Sequence, residues 1–127
     1  MKLRILGNSL RLRISRSELE RLRTDGSIED SIRFAPAPEA SLTYALAVEP
    51  GESGVTVRYA PQRVTVVLSK AQLQAWSQPE EVGIYVSVSN GSETGLRLTI
   101  EKDFACLDRS HAGNADAFPN PHAGRVC

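Results

Sequence analysis

The sequence has no net charge: fifteen lysines and arginines balance fifteen aspartates and glutamates over 127 residues. That excludes a strong whole-surface attraction for nucleic acid or anionic lipid and leaves only a local patch to serve such a partner. No apolar run approaches the roughly 20 residues that a helix needs to cross a bilayer, so no membrane partner is expected. The start, Met1-Lys2-Leu3-Arg4-Ile5-Leu6-Gly7, is basic but lacks a sustained apolar stretch and a small-residue cleavage site. This argues against a secretory signal and for a cytoplasmic protein. Catalytic signatures are missing as well: there is no phosphate-binding glycine loop, nucleophile elbow or His-Glu-x-x-His helix, and the expectation is a protein that is not an enzyme. Cysteine and histidine are scarce, two of each, and all four fall at or beyond residue 106.

What is present is ordinary in bulk and uneven in detail. A hydrophobic content of 41% and a charged content of 24% suit one compact domain with a real core. The basic residues cluster, with Lys2, Arg4, Arg11, Arg13, Arg16, Arg21 and Arg23 set against only Glu18 and Glu20 in residues 1–23. Here two short alternating runs, about Lys2–Leu6 and Leu10–Ile14, flank Gly7-Asn8-Ser9. Leu10, Leu12 and Ile14 alternate with Arg11 and Arg13, so a strand would bury one face and show two guanidiniums on the other. Ser15-Arg16-Ser17-Glu18 is a capping box that opens a helix over about Arg16–Arg23, and Asp25-Gly26 stops it. Ile28, Ile32 and Phe34 form an imperfect strand, Ala35-Pro36-Ala37-Pro38 a loop, and Leu42, Tyr44, Leu46 and Val48 a clean strand.

After the break at residues 49–54 the plan repeats. Val55, Val57 and Tyr59 make a strand, Ala60-Pro61-Gln62-Arg63 a turn, and Val64, Val66 and Leu68 a second strand. Ser69-Lys70-Ala71-Gln72 is another capping box before a helix with Leu73 and Trp76 on one edge. Val82, Ile84, Val86 and Val88, then Leu96, Leu98 and Ile100, form the last two strands around Asn90-Gly91-Ser92. A gapless shift of 54 positions places Ser15 on Ser69, Leu19 on Leu73, Leu22 on Trp76, Ile28 on Val82, Ile32 on Val86 and Leu42 on Leu96. The expected core is Leu3, Ile5, Leu12, Ile14, Leu19, Leu22, Leu46, Val66, Leu68, Leu73, Trp76, Val86, Leu98 and Ile100.

The order strand, Gly-Asn-Ser, strand, capped helix in residues 3–23 resembles the AbrB/MazE swapped-hairpin module of bacterial regulators, whose members often read Lys-Trp-Gly-Asn-Ser-x-x-x-Arg-Ile-Pro before a short helix. Those chains are ββαββ units of about half this length that interleave in pairs. The resemblance therefore implies an α+β, mostly β domain over residues 1–107, in which two ββαββ halves, 1–53 and 55–107, form one pseudo-twofold swapped-hairpin barrel. It also implies double-stranded DNA as a partner and Arg4, Asn8, Ser9, Arg11 and Arg13 as the contacting residues. Arg pairs bidentately with phosphate or guanine, and Asn and Ser donate to phosphate or base edges. Ser15 stands where the family has proline, and the second half offers Pro61-Gln62-Arg63 with Thr65 and Val67, so the chain would present one basic loop instead of two.

Residues 108–127 read as an extended C-terminal arm, with Phe118 between polar and proline residues as its anchor. Cys106, His111, His122 and Cys127 could form a Cys2His2 zinc site, although Cys-x4-His-x10-His-x4-Cys is not one of the tight zinc spacings. A disulfide or two free thiols are the alternatives. The arm, with Lys-Asp-Phe-Ala-Cys and Phe-Pro-Asn-Pro, is similar to a small bacterial family of unknown function. Three functions remain open: a DNA-binding regulatory module without a cofactor, a protein-interaction or ligand-binding domain that works with a protein partner or as a homodimer, and a metal-binding protein.

Overall fold

A computed structural model describes residues 1–51 and 54–104. The proposed zinc ligands Cys106, His111, His122 and Cys127 and the arm at 108–127 lie outside the described residues. The chain is mostly β with two helices: β1 (Lys2–Leu6), β2 (Ser9–Ile14), α1 (Arg16–Asp25), β3 (Ser27–Arg33), β4 (Ser41–Glu49), β5 (Thr56–Ala60), β6 (Arg63–Ser69), α2 (Lys70–Trp76), β7 (Gly83–Val88) and β8 (Leu96–Lys102).

Both helices start where the serines sit, but they are capped unequally. At α1 the Ser15 hydroxyl accepts the Glu18 N–H and the Glu18 carboxylate accepts the Ser15 N–H at 2.9 Å, a complete reciprocal box. Gly26, at φ 84, ends the helix by donating its N–H to Leu22 O. At α2 the Ser69 hydroxyl accepts the Gln72 N–H, yet the second box is only half formed. The Gln72 amide turns towards Gly54 and does not return to Ser69, and its Oε1 is buried without a partner among the described residues.

The strands form two four-stranded sheets, ordered β1-β2-β8-β7 and β3-β4-β6-β5. In each, two antiparallel hairpins meet at a central parallel pair, β2 with β8 and β4 with β6. Each sheet thus takes one hairpin from the first half of the chain and one from the second. Leu12 lies opposite Ile100, and Val66 opposite Leu46, so a shift of 54 (12 to 66, 46 to 100) carries one parallel pair onto the other. The same shift carries Leu3–Leu12 onto Val57–Val66. It fails for one strand. Ile28 faces Leu46 while Ile84 faces Ile100, so Ile28 corresponds to Ile84 and not, as the gapless alignment has it, to Val82. The connection into β7, residues 77–82, is longer than the single Gly26 that links α1 to β3, and it displaces the register by two.

A closed barrel is not formed. No strand pair joins the two sheets, and β1, β7, β3 and β5 are their edges among the described residues. Side-chain packing holds the sheets together instead. One cluster draws Leu12, Ile14, Leu98 and Ile100 from the first sheet, Ile28, Leu46, Val66 and Leu68 from the second, and Leu19, Leu22, Leu73 and Trp76 from the helices. Of the expected core, Leu3 and Val86 are only partly buried, and Ile5 is 63% exposed. Ile5 shares its face with Leu3 but sits on an edge strand beside the hairpin tip, where the opposite sheet no longer covers it. Leu10 and Ile28 complete the core instead.

Candidate functional site

Burying Leu10, Leu12 and Ile14 turns Ser9, Arg11 and Arg13 to the outer face of the first sheet. Register then fixes their neighbours. Lys2 lies opposite Arg13 and Arg4 opposite Arg11 on β1, while Arg97, Thr99 and Glu101 of β8 lie opposite Ser9, Arg11 and Arg13. On the far side β7 sets Tyr85 opposite Thr99 and Ser87 opposite Arg97. Five cations therefore share one face: Lys2, Arg4, Arg11, Arg13 and Arg97. Like charges directly opposite each other destabilise a sheet, and this one carries two such pairs, Arg4–Arg11 and Lys2–Arg13.

The acidic groups available only partly answer them. Lys2 Nζ is 2.9 Å from Asp103 at the margin of the face, and the lysine holds the Asp103 carboxyl below its ordinary range against a smaller burial effect. Glu101 is the one carboxylate within the face among the described residues. Its Oε1 is buried between Arg11 Nε at 2.7 Å and Arg13 Nε at 3.9 Å, with neither N–H aligned on it as a hydrogen bond. Its Oε2 accepts the Tyr85 hydroxyl at 2.8 Å, which keeps the phenol protonated above its usual range. Arg4 and Arg97 have no ion-pair partner among the described residues. The second sheet is different: at the matching positions Thr65 replaces Arg11, Val67 replaces Arg13, Thr43 replaces Arg97 and Ala47 replaces Glu101. Two of its three arginines are matched by carboxylates, Arg58 by Glu49 and Arg63 by Glu29, while Arg33 donates to the Ala35 and Pro36 carbonyls.

Of the residues singled out in the sequence, Arg4, Ser9, Arg11 and Arg13 share this face. Asn8 does something else. Its side-chain amide donates to Gly95 O at 2.7 Å, and its backbone carbonyl accepts the Arg97 N–H at 3.2 Å. Gln62, the matching residue of the second half, donates its side-chain amide to Glu39 O at 2.6 Å, and its backbone carbonyl accepts the Thr43 N–H at 2.8 Å. An amide at this position ties a hairpin turn to the neighbouring loop in both halves. Ser9 Oγ likewise donates to Leu6 O at 2.6 Å. Lys2, Tyr85, Arg97 and Glu101 complete the face, and the parallel pairing of β2 with β8 that recruits three of them from the end of the chain has no sequence signal.

Two shallow concavities open on the face. One, about 250 Å³, is lined by Arg4, Ser9 and Arg11; the other, about 300 Å³, by Ser87 and Arg97. Tyr85 and Thr99 line both and form the ridge between them. No group of three or more metal-ligating side chains occurs among the described residues, and none of their helices is long and apolar enough to cross a membrane. A model of a protein family of unknown function, DUF7009, matches residues 1–122. The chain belongs to DUF7009. No curated protein and no solved structure matches this DUF7009 chain.

Proposed function

We propose that this DUF7009 chain is a non-catalytic nucleic-acid-binding protein whose contact surface is the outer face of the β1-β2-β8-β7 sheet. The observation that carries this reading is the charge of that face, five cations around a single internal carboxylate, with two like-charged pairs held opposite one another at a cost in stability. A polyanion would relieve that repulsion, and Arg is the side chain best suited to hold phosphate. At the positions matching Arg11, Arg13 and Arg97 the other sheet carries uncharged residues, and Arg58, which matches Arg4, is paired with Glu49; this supports a one-sided contact.

Ancestry in a duplicated swapped-hairpin module, with halves 1–53 and 55–107, is part of the proposal. It is supported by the exchange of hairpins between halves and by a register that repeats after 54 positions. Double-stranded DNA, the ligand implied by that ancestry, is the first one to test. Binding of labelled mixed-sequence DNA, followed by anisotropy, is expected to weaken steeply as salt rises. Arg4→Gln and Arg97→Gln should each weaken it and flatten the salt dependence by about one counterion. Failure of every nucleic acid to bind at low salt overturns the proposal.

A second reading rests on a separate observation. Ile5 and Leu6 are exposed at one hairpin tip and Tyr59 at the other, with Ile32 exposed on the second sheet and Phe34 exposed just beyond β3. Side chains of this kind suit a protein partner or a second copy of the chain. A sedimentation profile that shifts with concentration, and is abolished by Ile5→Ser with Tyr59→Ser, would favour it.

A further inference from the structure

We infer that Tyr85 is a stacking platform for one base of a single-stranded nucleic acid, with the guanidiniums of Arg11 and Arg97 beside it holding the adjoining phosphates. The inference rests on the nucleic-acid reading above and specifies which form of nucleic acid the face accepts.

Tyr85 is 59% exposed at the centre of the ridge between the two concavities. Its ring is held in place. The hydroxyl donates to Glu101 Oε2, and a Cβ placed on Gly83 would come within 2.9 Å of the same hydroxyl. Gly83 precedes Tyr85 by two residues on the same face of β7, so the side chain lies down along its own strand over the space that the glycine leaves empty. A ring laid along the sheet and anchored at its tip offers one π-face to solvent with little conformational freedom left to lose. Immobilising it on a ligand therefore costs less than immobilising a free side chain.

The neighbours fit a strand and not a duplex. Arg11, Thr99 and Tyr85 form one rung across the sheet; Ser9, Arg97 and Ser87 form the next rung on the same face, about 7 Å along the strands. Arg11 thus stands across the sheet from Tyr85 and Arg97 one rung along it, both on the β8 side of the ring, where they can meet the phosphates next to a stacked base. Four strands span about 14 Å between the outermost backbones, wider than the roughly 12 Å major groove, so the flat face cannot enter a duplex, and the paired bases of a duplex cannot reach the ring. Unpaired bases can, and stacking on an aromatic platform beside a cationic track is a sequence-tolerant way to bind them.

The test compares a mixed-sequence DNA strand of about 20 nucleotides with the duplex of the same sequence, at one low salt concentration. The wild-type chain is expected to bind the strand more tightly. Tyr85→Ala should weaken strand binding by about 5- to 150-fold, the loss of one stacked base, and change duplex binding by less than about twofold. Tyr85→Phe keeps the ring and drops the anchor, so its loss should be smaller than that of alanine; it also removes little from the fold. Glu80→Gln, an exposed charge change outside both sheets, should leave strand and duplex binding alike within about twofold. Strand binding unchanged in Tyr85→Ala, or an equal loss on strand and duplex, overturns the platform while leaving the nucleic-acid reading in place. If the wild-type chain binds neither form, that reading fails and the platform falls with it.

Discussion

Asn8 shows how a residue can belong to a recognised motif and yet serve the fold. Gly7 takes φ 54 at the hairpin turn, and Asn8 beside it spends its side-chain amide on Gly95 O and its backbone carbonyl on the Arg97 N–H. Gln62, at φ 69, repeats the arrangement on the other sheet, where Thr65 and Val67 stand in place of Arg11 and Arg13. Asn8→Ala is therefore expected to lower stability by about 1 kcal/mol, the usual worth of a lost hydrogen bond with its partner carbonyl left exposed or half-satisfied. Nucleic-acid affinity should stay within about twofold of wild type at a temperature where both are folded. Thermal melts paired with anisotropy separate the two effects. A tenfold loss of binding with an unchanged melt would return Asn8 to the contact surface.

At the scale of elements, alternation and capping made most strands and both helix starts legible, because each is decided by neighbours within four residues. Ser15-x-x-Glu18 and Ser69-x-x-Gln72 read as equivalent, yet only the first closes. Glu18 also accepts from the Met1 ammonium, as does Asp30 at 3.0 Å, so the cap of α1 carries an ion pair as well. Burial by itself would push both Glu18 and the ammonium towards their neutral forms. The hydrogen bonds and charges between them win: the carboxyl lies below its ordinary range and the ammonium above its own. The sign follows for each group. The Glu18 contribution is fully present above the ordinary carboxylate range and is lost as pH falls through its lowered value. That of Met1 is present below the ordinary α-amino range and is lost as pH rises through its raised value. The stability difference between wild type and Glu18→Gln should be largest near neutral pH and shrink both in acid, below the ordinary carboxylate range, and in alkali, above the ordinary α-amino range, as measured by urea melts across pH. A difference that is flat with pH would show that the cap alone, and not the ion pair, is what the substitution removes.

At the scale of the molecule, most of the core was visible as apolar alternation, including the deeply buried Leu12, Ile14, Leu46, Val66, Leu68 and Ile100. Ile5 was misplaced because alternation assigns a face without saying how far the opposing sheet extends. The 54-position spacing that relates the pairing registers was visible too, apart from the two-residue slip at β7, which a longer connection absorbs without any change in pattern. The candidate face was the least legible part. Arg11 and Arg13 announce themselves at the start of the chain, but the register that sets Arg97 and Glu101 beside them is a tertiary fact.

The exchange of hairpins also has a bearing on how the chain reaches this fold. Leu12 pairs with Ile100 across almost the whole described length, so the first hairpin emerging from a ribosome has no central neighbour until the last strand has been made. Non-local pairing of this kind slows folding, because a long loop must close before its contacts repay the closure. It also means that neither half is a folding unit. Cut in the connector at residues 50–54, the chain should give two fragments that are each unfolded alone and that recover the β-sheet circular-dichroism signal of the intact protein when mixed, with a concentration-dependent rate. Two intact copies would have the same option of trading halves, so slow dimers that persist on dilution are the expected by-product of refolding at high concentration.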